Sequence, residues 1–160
     1  MIPANSILQH LIELIGNVTD AHTVALFTME PGGKTLAMRE HFSLSNNLDP
    51  GAKIPVGKGP IGVAAQTRKS QLIENFDQNT RFLGLYKKNE ELKNFIALPV
   101  IYGNQVAVLV VDSKKRYQFS IKLQKILTEF ALQIAWNLQP ENPDNSEKLS
   151  PQPFLQEINS

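Results

Sequence analysis

Apolar residues recur at helical spacing near both ends of the chain. Near the start this stripe predicts a helix over residues 6–15 with one apolar face, and its members are Ile7, Leu8, Leu11, Ile12 and Ile15. Ser6 and Gln9 match a capping box at the helix start, and Gly16 is placed to end the helix. A longer stripe predicts a second helix over residues 120–138, and it consists of Leu123, Ile126, Leu127, Phe130, Ile134 and Leu138.

Runs of β-forming residues lie between these helices and are separated by turn signals. Residues 23–29 and 35–42 flank Pro31-Gly32-Gly33, so they predict a hairpin. Residues 95–112 contain two further runs on either side of Gly103-Asn104, a favoured two-residue hairpin turn. Because both of these runs are strongly apolar, we expect this second hairpin to be the buried centre of a sheet.

Shorter elements are predicted between the two hairpins. Residues 54–56 form only a short edge strand, because the proline at its centre has no N–H to donate. A short helix is expected over residues 60–68, with proline at its first position, and another short strand at residues 72–73. The polar run over residues 74–93 predicts a long loop with one helical turn around residues 89–92, and long loops in compact domains are often functional.

This order of elements predicts an α+β fold. Adjacent strands joined by tight turns imply a central antiparallel sheet of about five to six strands. The N- and C-terminal helices cover one face of the sheet, and short helices and loops form a pocket on the other face. Residues 1–138 are expected to be one domain. Residues 139–160, in which prolines are mixed with Asn, Ser and Glu, are expected to be a flexible Pro-rich tail or linker.

Composition and charge narrow the functional classes. The 160 residues are 42% hydrophobic and 19% charged, with a formal net charge of +1, which is ordinary for a globular protein. Lys and Arg are spread along the chain apart from short groups at residues 87–88 and 114–116, so no nucleic acid is expected as a partner. The absence of cysteine removes disulfides, thiolate metal sites and cysteine nucleophiles. No apolar run reaches the roughly 18 residues of a membrane span, so we expect a cytoplasmic protein without a membrane partner.

Neither a metal site nor a cofactor is expected. His10, His22 and His41 are far apart in the sequence and form none of the close pairs that zinc sites use. His41 on the second strand is the one candidate axial ligand for a haem. No Gly-x-Ser-x-Gly motif occurs, so nucleophilic catalysis has no visible support.

An ordered set of motifs resembles the GAF domain family over about residues 5–138. It comprises the glycine-containing segment 56–64, the polar loop 75–82, the strands at 96–100 and 106–112, and Phe119, Leu127, Ala131, Gln133 and Ala135 of the closing helix. Two positions depart from the family pattern. Leu123 stands where members often carry an acidic residue, and residues 112–115 lack the Asn-Lys pair of the branch that binds cyclic nucleotides.

The resemblance implies a sensory or regulatory domain in signal transduction that is not an enzyme and that binds a small ligand, mediates dimerisation, or both. Ligand binding would alter the packing of the two terminal helices and bias an output domain joined through the tail, by a shift of population. One GAF-like group reduces free methionine sulfoxide with cysteine thiolates, which this chain lacks. The second interpretation is a degenerate interaction scaffold with a filled pocket. A cavity of about 300 Å³ beneath residues 59–82 would distinguish the two.

Candidate ligand-binding residues fall into a polar and an apolar group. Asn75, Asp77 and Arg81 of the polar loop either contact a ligand at the pocket rim or stabilise the loop, for instance through an Asp–Arg pair. The apolar pocket wall, whose alternative role is ordinary core packing, consists of Phe27, Met29, Phe42, Ile61, Phe82, Leu98 and Val110.

A glycine motif precedes the short middle helix. Gly57-x-Gly59-x-x-Gly62 has the residue types and spacing of a dinucleotide-binding fingerprint, and Asp77 lies about 20 residues downstream. The strand before it is short and contains proline, and no βαβ unit surrounds it, so we expect a turn and a helix start instead. The exposed N–H groups there, including that of Gly59, could hold an anionic ligand group near Lys58 or Arg81.

A second, minor apolar stripe on the last helix lies on a different side from the main face and consists of Ile121, Leu132 and Trp136. These apolar side chains would be exposed to solvent on an isolated monomer, so the stripe predicts a homodimer formed by the terminal helices. The alternative is that the tail folds back over it through Phe154, Leu155 and Ile158.

Overall fold

The structure of the protein, a computed structural model, describes residues 4–116 and 119–140. The elements in chain order are α1 (Ala4–Thr19), β1 (Thr23–Met29), β2 (Thr35–Ser43), β3 (Lys53–Pro55), α2 (Gly59–Thr67), β4 (Gln71–Glu74), a 3-10 turn (Thr80–Leu83), β5 (Asn94–Tyr102), β6 (Gln105–Ser113) and α3 (Ile121–Leu138). The strands of the described residues form one six-stranded sheet in the order β3-β2-β1-β6-β5-β4. Every neighbouring pair is antiparallel, which confirms the predicted α+β fold.

The β5–β6 hairpin lies in the interior of this sheet: β6 and β1 are its two central strands, and β5 lies between β6 and the edge strand β4. Its strands pair without interruption from Asn94–Ser113 to Tyr102–Gln105. Gly103 has a φ of 62°, the left-handed conformation that the two-residue turn requires. β6 pairs on its other side with β1, which in turn pairs with β2. Both predicted hairpins are confirmed.

α1 and α3 cover one face of the sheet, as predicted. Their apolar stripes meet the strand side chains that point to this face, and the resulting core includes Leu8, Ile12, Ile15, Leu26, Leu109, Leu127 and Ile134. α3 begins where Oγ of Ser120 accepts a hydrogen bond from the Leu123 N–H at 3.1 Å. A polar cap followed by an apolar stripe therefore determines both the start and the packing face of this helix.

Gly16 does not end α1, contrary to the prediction. The helix runs from Ala4 to Thr19, so Ser6 lies inside it and not at the position before its first residue. An ideal Cβ on Gly16 would lie 2.6 Å from Cδ2 of Phe42, because the ring of Phe42 rests directly on the helix backbone. This glycine serves the packing of α1 on β2.

The opposite face of the sheet carries α2, the 3-10 turn and the long loops. Their side chains form a second core that includes Phe27, Ile61, Leu83, Leu85 and Phe95. α2 packs so close to β3 at Gly62 that a Cβ at this position would overlap the carbonyl oxygen of Pro55. Pro60 stands in the first turn of α2, where its missing N–H costs nothing, as predicted.

The helical turn of the long loop lies at Thr80–Leu83, and the prediction of residues 89–92 is wrong. Asn79 caps this turn, since its Oδ1 accepts a hydrogen bond from the Arg81 N–H at 2.9 Å. Leu83 at the end of the turn is buried in the core. A cap and a single buried leucine thus determine the position of the turn, and neither produces a periodic pattern in the sequence.

None of the described helices is long and apolar enough to cross a membrane. The predicted tail over residues 139–160 falls outside the described residues from position 141 onward, and so do Phe154, Leu155 and Ile158. The division of the chain at residue 138 stays a prediction.

Candidate functional site

The residues predicted to line one apolar wall lie on both faces of the sheet. The core on the loop face contains Phe27, Ile61 and Val110, with Met29 packed against it. Phe42 and Leu98 belong to the core beneath α1 and α3 instead, so placing them in the same wall was wrong. The reason is the period of two along a strand: Ala97 faces the loops, and Leu98 therefore faces the helices.

The space beneath residues 59–82, where a ligand cavity was expected, is occupied by protein. Phe27, Ile61 and Val110 have no exposed surface, and Leu83 and Leu85 pack into the same core. Two cavities at the edge of this face have volumes of about 160 and 200 Å³. Both are smaller than the roughly 300 Å³ that a drug-sized ligand needs, so neither of these two cavities accommodates a ligand of that size.

Both cavities flank the short segment 76–78. The first, the 89–93 cleft, has a volume of about 160 Å³ and lies between this segment and residues 89–93. The second, the Phe82 cleft, has a volume of about 200 Å³ and is bounded by residues 73–78 and Phe82. Phe76 borders both clefts, and its ring stacks on that of Phe82 with the centroids 5.5 Å apart.

The predicted polar residues are divided between these clefts and the outer surface. Asn75 lines the Phe82 cleft, and Asp77 lines both clefts. Arg81 is exposed and lines neither. Among the described residues, the close contacts between basic and acidic side chains are His22–Glu90, Lys53–Glu30 and Lys115–Asp20. The Asp–Arg pair considered from the sequence is not one of them.

Gly59 and Phe82 meet where α2 begins. Gly59 has a φ of 64°, and a Cβ at this position would lie 3.2 Å from the carbonyl oxygen of Phe82. Glycine therefore permits the 3-10 turn to approach the start of α2 closely. Phe82 lines its cleft and is 45% exposed, so it also contacts water.

A buried polar network, which sequence reasoning missed, joins the ends of β1, β2 and β6 to the loop before β5. The Tyr86 hydroxyl donates to Oδ2 of Asp112 and lies 2.7 Å from Oγ1 of Thr23. The Thr23 N–H donates to Oδ1 of Asp112 at 2.8 Å, and the Thr23 hydroxyl lies 2.6 Å from that of Ser43. Thr23 and Asp112 have no exposed surface.

Glu90 connects the same region to the 89–93 cleft. Its carboxylate accepts a hydrogen bond from Nδ2 of Asn47 at 2.5 Å and lies 2.7 Å from Nε2 of His22. Its backbone N–H donates to Oγ1 of Thr80 at 2.6 Å, and the Thr80 N–H donates to Oδ1 of Asn89 at 2.8 Å. Because Glu90 and Asn89 also line the cleft, hydrogen bonds hold one of its walls in place.

Two carboxyl groups of this region have pKa values shifted in opposite directions. Burial raises the pKa of Asp112 to about 7, with a further contribution from the Glu90 carboxylate, while hydrogen bonds from Tyr86 and Thr23 act against the rise. Burial also acts to raise the pKa of Glu90, but hydrogen bonds from its neighbours outweigh it and the pKa is lowered. Burial, together with Asp112, raises the pKa of Tyr86, which therefore stays a neutral phenol. Glu90 is therefore ionised at neutral pH, whereas the Asp112 carboxyl group near it gains or loses its proton at about pH 7.

Only part of this network has a signal in the sequence. Asp112 ends the apolar run of β6, where a carboxyl group must be paired if it is buried. Tyr86 and Thr23 are 26 and 89 residues away from it. No local pattern relates residues so far apart.

Among the described residues, no group of three or more His, Asp or Glu side chains is placed to hold a metal ion. The titratable groups of the network bond to one another and to hydroxyl and amide groups instead.

α3 exposes apolar side chains on the side away from the sheet. Ile121 is 71% and Leu132 57% exposed, whereas Trp136 is partly buried. Two shallow clefts of about 310 and 210 Å³ lie along the same helix, and their lining includes Lys125, Ile126, Thr128, Glu129, Phe130 and Gln133. The predicted surface stripe is present at Ile121 and Leu132, and its role in a dimer stays a prediction.

Solved structures that share this fold include both GAF domains and enzymes. The GAF domain of phosphoenolpyruvate-protein phosphotransferase from Acinetobacter is 18% identical over 86% of this chain and 82% of that chain, with a TM-score of 0.73. Type II free methionine-R-sulfoxide reductase from Thermoplasma acidophilum is 20% identical over 84% and 91%, with a TM-score of 0.70. Free methionine-R-sulfoxide reductase from Neisseria meningitidis, in complex with its substrate, is 16% identical over 84% and 77%, with a TM-score of 0.68.

These likenesses define the class of protein as an α+β domain with the GAF fold. The family model of the GAF domain matches residues 3–139, and the chain belongs to the GAF domain family. The resemblance read from the sequence over residues 5–138 is therefore confirmed. A comparison with curated protein sequences gave no match.

The prediction that the chain is not an enzyme is wrong. It rested on the family resemblance and on the absence of cysteine, whereas two of the similar structures are reductases with the same fold. Neither the fold nor the family separates GAF domains that sense from those that catalyse.

Proposed function

We propose that this protein is a regulatory GAF domain that binds a small, positively charged polar ligand in the 89–93 cleft. The main support is the chemistry of the cleft, whose lining side chains include many hydrogen-bond acceptors and more negatively than positively charged groups. Asp77, Glu90 and Glu91 contribute three carboxyl groups, against one lysine, Lys93. The amides of Gln78 and Asn89 add further hydrogen-bonding groups, so the match is to an amine or another cation with several donors.

The volume of the cleft limits the size of such a ligand. A cavity of about 150 Å³ holds benzene, so the 160 Å³ here suits a molecule of amino-acid or small-amine size. Phe76 and Leu92 are 5% and 2% exposed and supply the apolar part of the lining. Cyclic nucleotides, haem and bilins are much larger, and we do not expect them to bind in this cleft.

The hydrogen bonds of the cleft wall provide a route from binding to a response. Glu90 is bonded to His22, directly before β1, and to Asn47 in the loop after β2. A ligand that contacts Glu90 when these bonds are formed stabilises that state over one in which they are broken. Its differential affinity then sets the size of the population shift.

A nuclear magnetic resonance titration tests the ligand proposal. We expect L-amino acids or small primary amines to produce saturable amide shifts at residues 76–78 and 89–93, and acetate to produce none. Asp77→Asn removes one charged acceptor and should weaken binding about tenfold. Glu13→Gln, an exposed carboxyl group on α1, is the matched control and should bind like the wild type. If no amine or amino acid shifts these resonances at millimolar concentration, the proposal fails.

A second candidate function is self-association through α3, which the exposure of Ile121 and Leu132 favours. In an antiparallel pair of α3 helices centred near Leu127, Lys125 of one copy lies opposite Glu129 of the other. The two-fold symmetry repeats this pair, so charge complementarity accompanies the apolar contact.

The mass of the protein in solution tests this candidate. Leu132→Glu places a charge on the apolar stripe and should convert a dimer into a monomer in light scattering. Val18→Glu on α1 is the matched control, because Val18 is 50% exposed against 57% for Leu132. A monomeric wild-type protein would contradict self-association without affecting the ligand proposal.

A further inference from the structure

Asp112 is the innermost member of a row of four hydrogen-bonded groups. Its side chain is wholly buried, and its Oδ2 is bonded to the Tyr86 hydroxyl. The row continues to Oγ1 of Thr23, 2.7 Å from the Tyr86 oxygen, and to Oγ of Ser43, 2.6 Å further on. Ser43 is only partly buried. The row therefore leads from a buried carboxyl group toward water.

The hydrogens of this row can be arranged in two ways, because each hydroxyl donates one hydrogen and accepts up to two. When Asp112 is ionised, Ser43 donates to Thr23, Thr23 donates to Tyr86, and Tyr86 donates to Asp112. When Asp112 is protonated, the direction of every bond is reversed. All the bonds of the row are made in both arrangements, so the geometry is compatible with either charge state of Asp112.

We propose that these four groups form a proton-binding site, in which Asp112 exchanges one proton with water through the row and the bound proton holds residues 80–91 against the sheet. A proton from water bonds to Oγ of Ser43, and the hydrogen already there passes to Thr23. Thr23 passes its own hydrogen to Tyr86, and Tyr86 passes its hydrogen to Asp112. Each hydroxyl gains one hydrogen and loses one, and release follows the same steps in reverse.

The groups that face Asp112 explain why its proton affects residues 80–91. Burial is the largest cause of its raised pKa, and the Glu90 carboxylate, which belongs to this segment, adds to the rise. Lys114 after β6 acts in the opposite sense, and His22 is bonded to Glu90. Once Asp112 is ionised, its buried carboxylate and the partly buried Glu90 carboxylate repel each other. Both are better hydrated when residues 80–91 move away from the sheet.

The range in which this site changes state follows from the raised pKa. A rise from 3.8 to about 7 corresponds to a gain of about a thousandfold in proton affinity. The change of charge then falls in the neutral range, where an ordinary aspartate is fully ionised. This inference does not depend on the proposed ligand, because the proton itself is the species that binds.

Carbon-13 resonance of the Asp112 carboxyl group, followed against pH, tests the site directly. We expect a midpoint near pH 7 in the wild type. We also expect hydrogen-exchange protection factors of residues 80–91 to fall between pH 5 and pH 8 with the same midpoint. Asp112→Asn, which mimics the protonated acid, should keep high protection across this range. Asp20→Asn, an exposed carboxyl group near the same end of the sheet, is the matched control and should behave like the wild type.

Two outcomes would overturn the inference. One is an Asp112 midpoint near pH 4, the ordinary value for an aspartate. The other is a fall in protection that persists unchanged in Asp112→Asn. Should that variant fail to fold, Tyr86→Phe gives an equivalent test: it removes a donor to the ionised carboxyl and interrupts the row. We expect this variant to raise the midpoint of Asp112 and to lower protection of residues 80–91 at both ends of the pH range. Wild-type behaviour in Tyr86→Phe would refute the site.

Discussion

The contact between Gly16 and Phe42 predicts the outcome of a double-mutant cycle. In Gly16→Ala the added methyl would lie 2.6 and 2.8 Å from two carbons of the Phe42 ring, so the ring must move. Overpacking of this kind costs about 1–3 kcal/mol, while alanine in a helix interior gains about 0.5–1 kcal/mol over glycine. We expect Gly16→Ala to destabilise the protein by about 1 kcal/mol, the difference between these opposing effects.

Removing the ring should reverse the sign of this effect. In a Phe42→Ala background the new methyl meets no ring, so Gly16→Ala should stabilise the protein by about 0.5–1 kcal/mol. Urea unfolding of the wild type, both single variants and the double variant measures the coupling energy. Equal effects of Gly16→Ala in the two backgrounds would refute the packing explanation. If Gly16→Ala destabilised the protein in both backgrounds, the glycine would be required to end the helix and not for packing against Phe42.

Three further changes test other parts of the structure. Gly62→Ala should lose more stability than Gly16→Ala, because its methyl meets the Pro55 carbonyl oxygen, a backbone atom that cannot rotate away; a thermal midpoint at or above that of the wild type would contradict this. Ser120→Ala removes the cap of α3 and should cost about 1 kcal/mol in urea unfolding, and Ser120→Asp should restore it. The folded protein binds the Asp112 proton more tightly than the unfolded chain does, so this proton stabilises the folded state below pH 4. The stabilisation falls by about 4 kcal/mol as the pH rises from 4 to 7. The stability difference between Asp112→Asn and the wild type should grow over this range, and a constant difference would contradict the raised pKa.

Local patterns were sufficient to predict most elements of the fold. Gly103-Asn104 lies between two apolar runs, and only a tight turn there brings both runs into one sheet. Ser120 precedes an apolar stripe with the period of a helix, and it caps α3 in the structure. In these places the information lies within a few neighbouring residues, so tertiary context does not override it.

The sequence of β5 does not show which face of the sheet each of its residues points to. In β5, Phe95 and Ala97 face the loops, while Ile96 and Leu98 face the helices. All four residues are apolar because the strand is covered on both sides, so residue type does not reveal the face. Phe42 was misplaced for a related reason, since its position against Gly16 becomes visible only once α1 lies on β2.

The candidate site was predicted only where it is continuous in sequence. Asn75 and Asp77 belong to a polar loop that the family resemblance singled out, and both line a cleft. Glu90 and Asn89 on the opposite wall were missed, because hydrogen bonds to Thr80 and to residues far away in sequence position them. Pairing of polar groups across such distances follows from the tertiary fold and has no local pattern.

β6 contributes side chains to the cores on both faces of the sheet. Asp112 belongs to the polar network on the loop side, whereas Val111, its neighbour, is buried in the core with α1 and α3. Successive residues of a strand point to opposite faces, and the interior is close-packed, so we expect any displacement of Asp112 on proton release to move Val111 against the helices as well. The methyl resonances of Val111 should therefore titrate with the midpoint of Asp112 in the wild type and stay constant in Asp112→Asn. Val111 signals that do not change with pH would confine the proton's effect to the loops and leave the helices uncoupled from it.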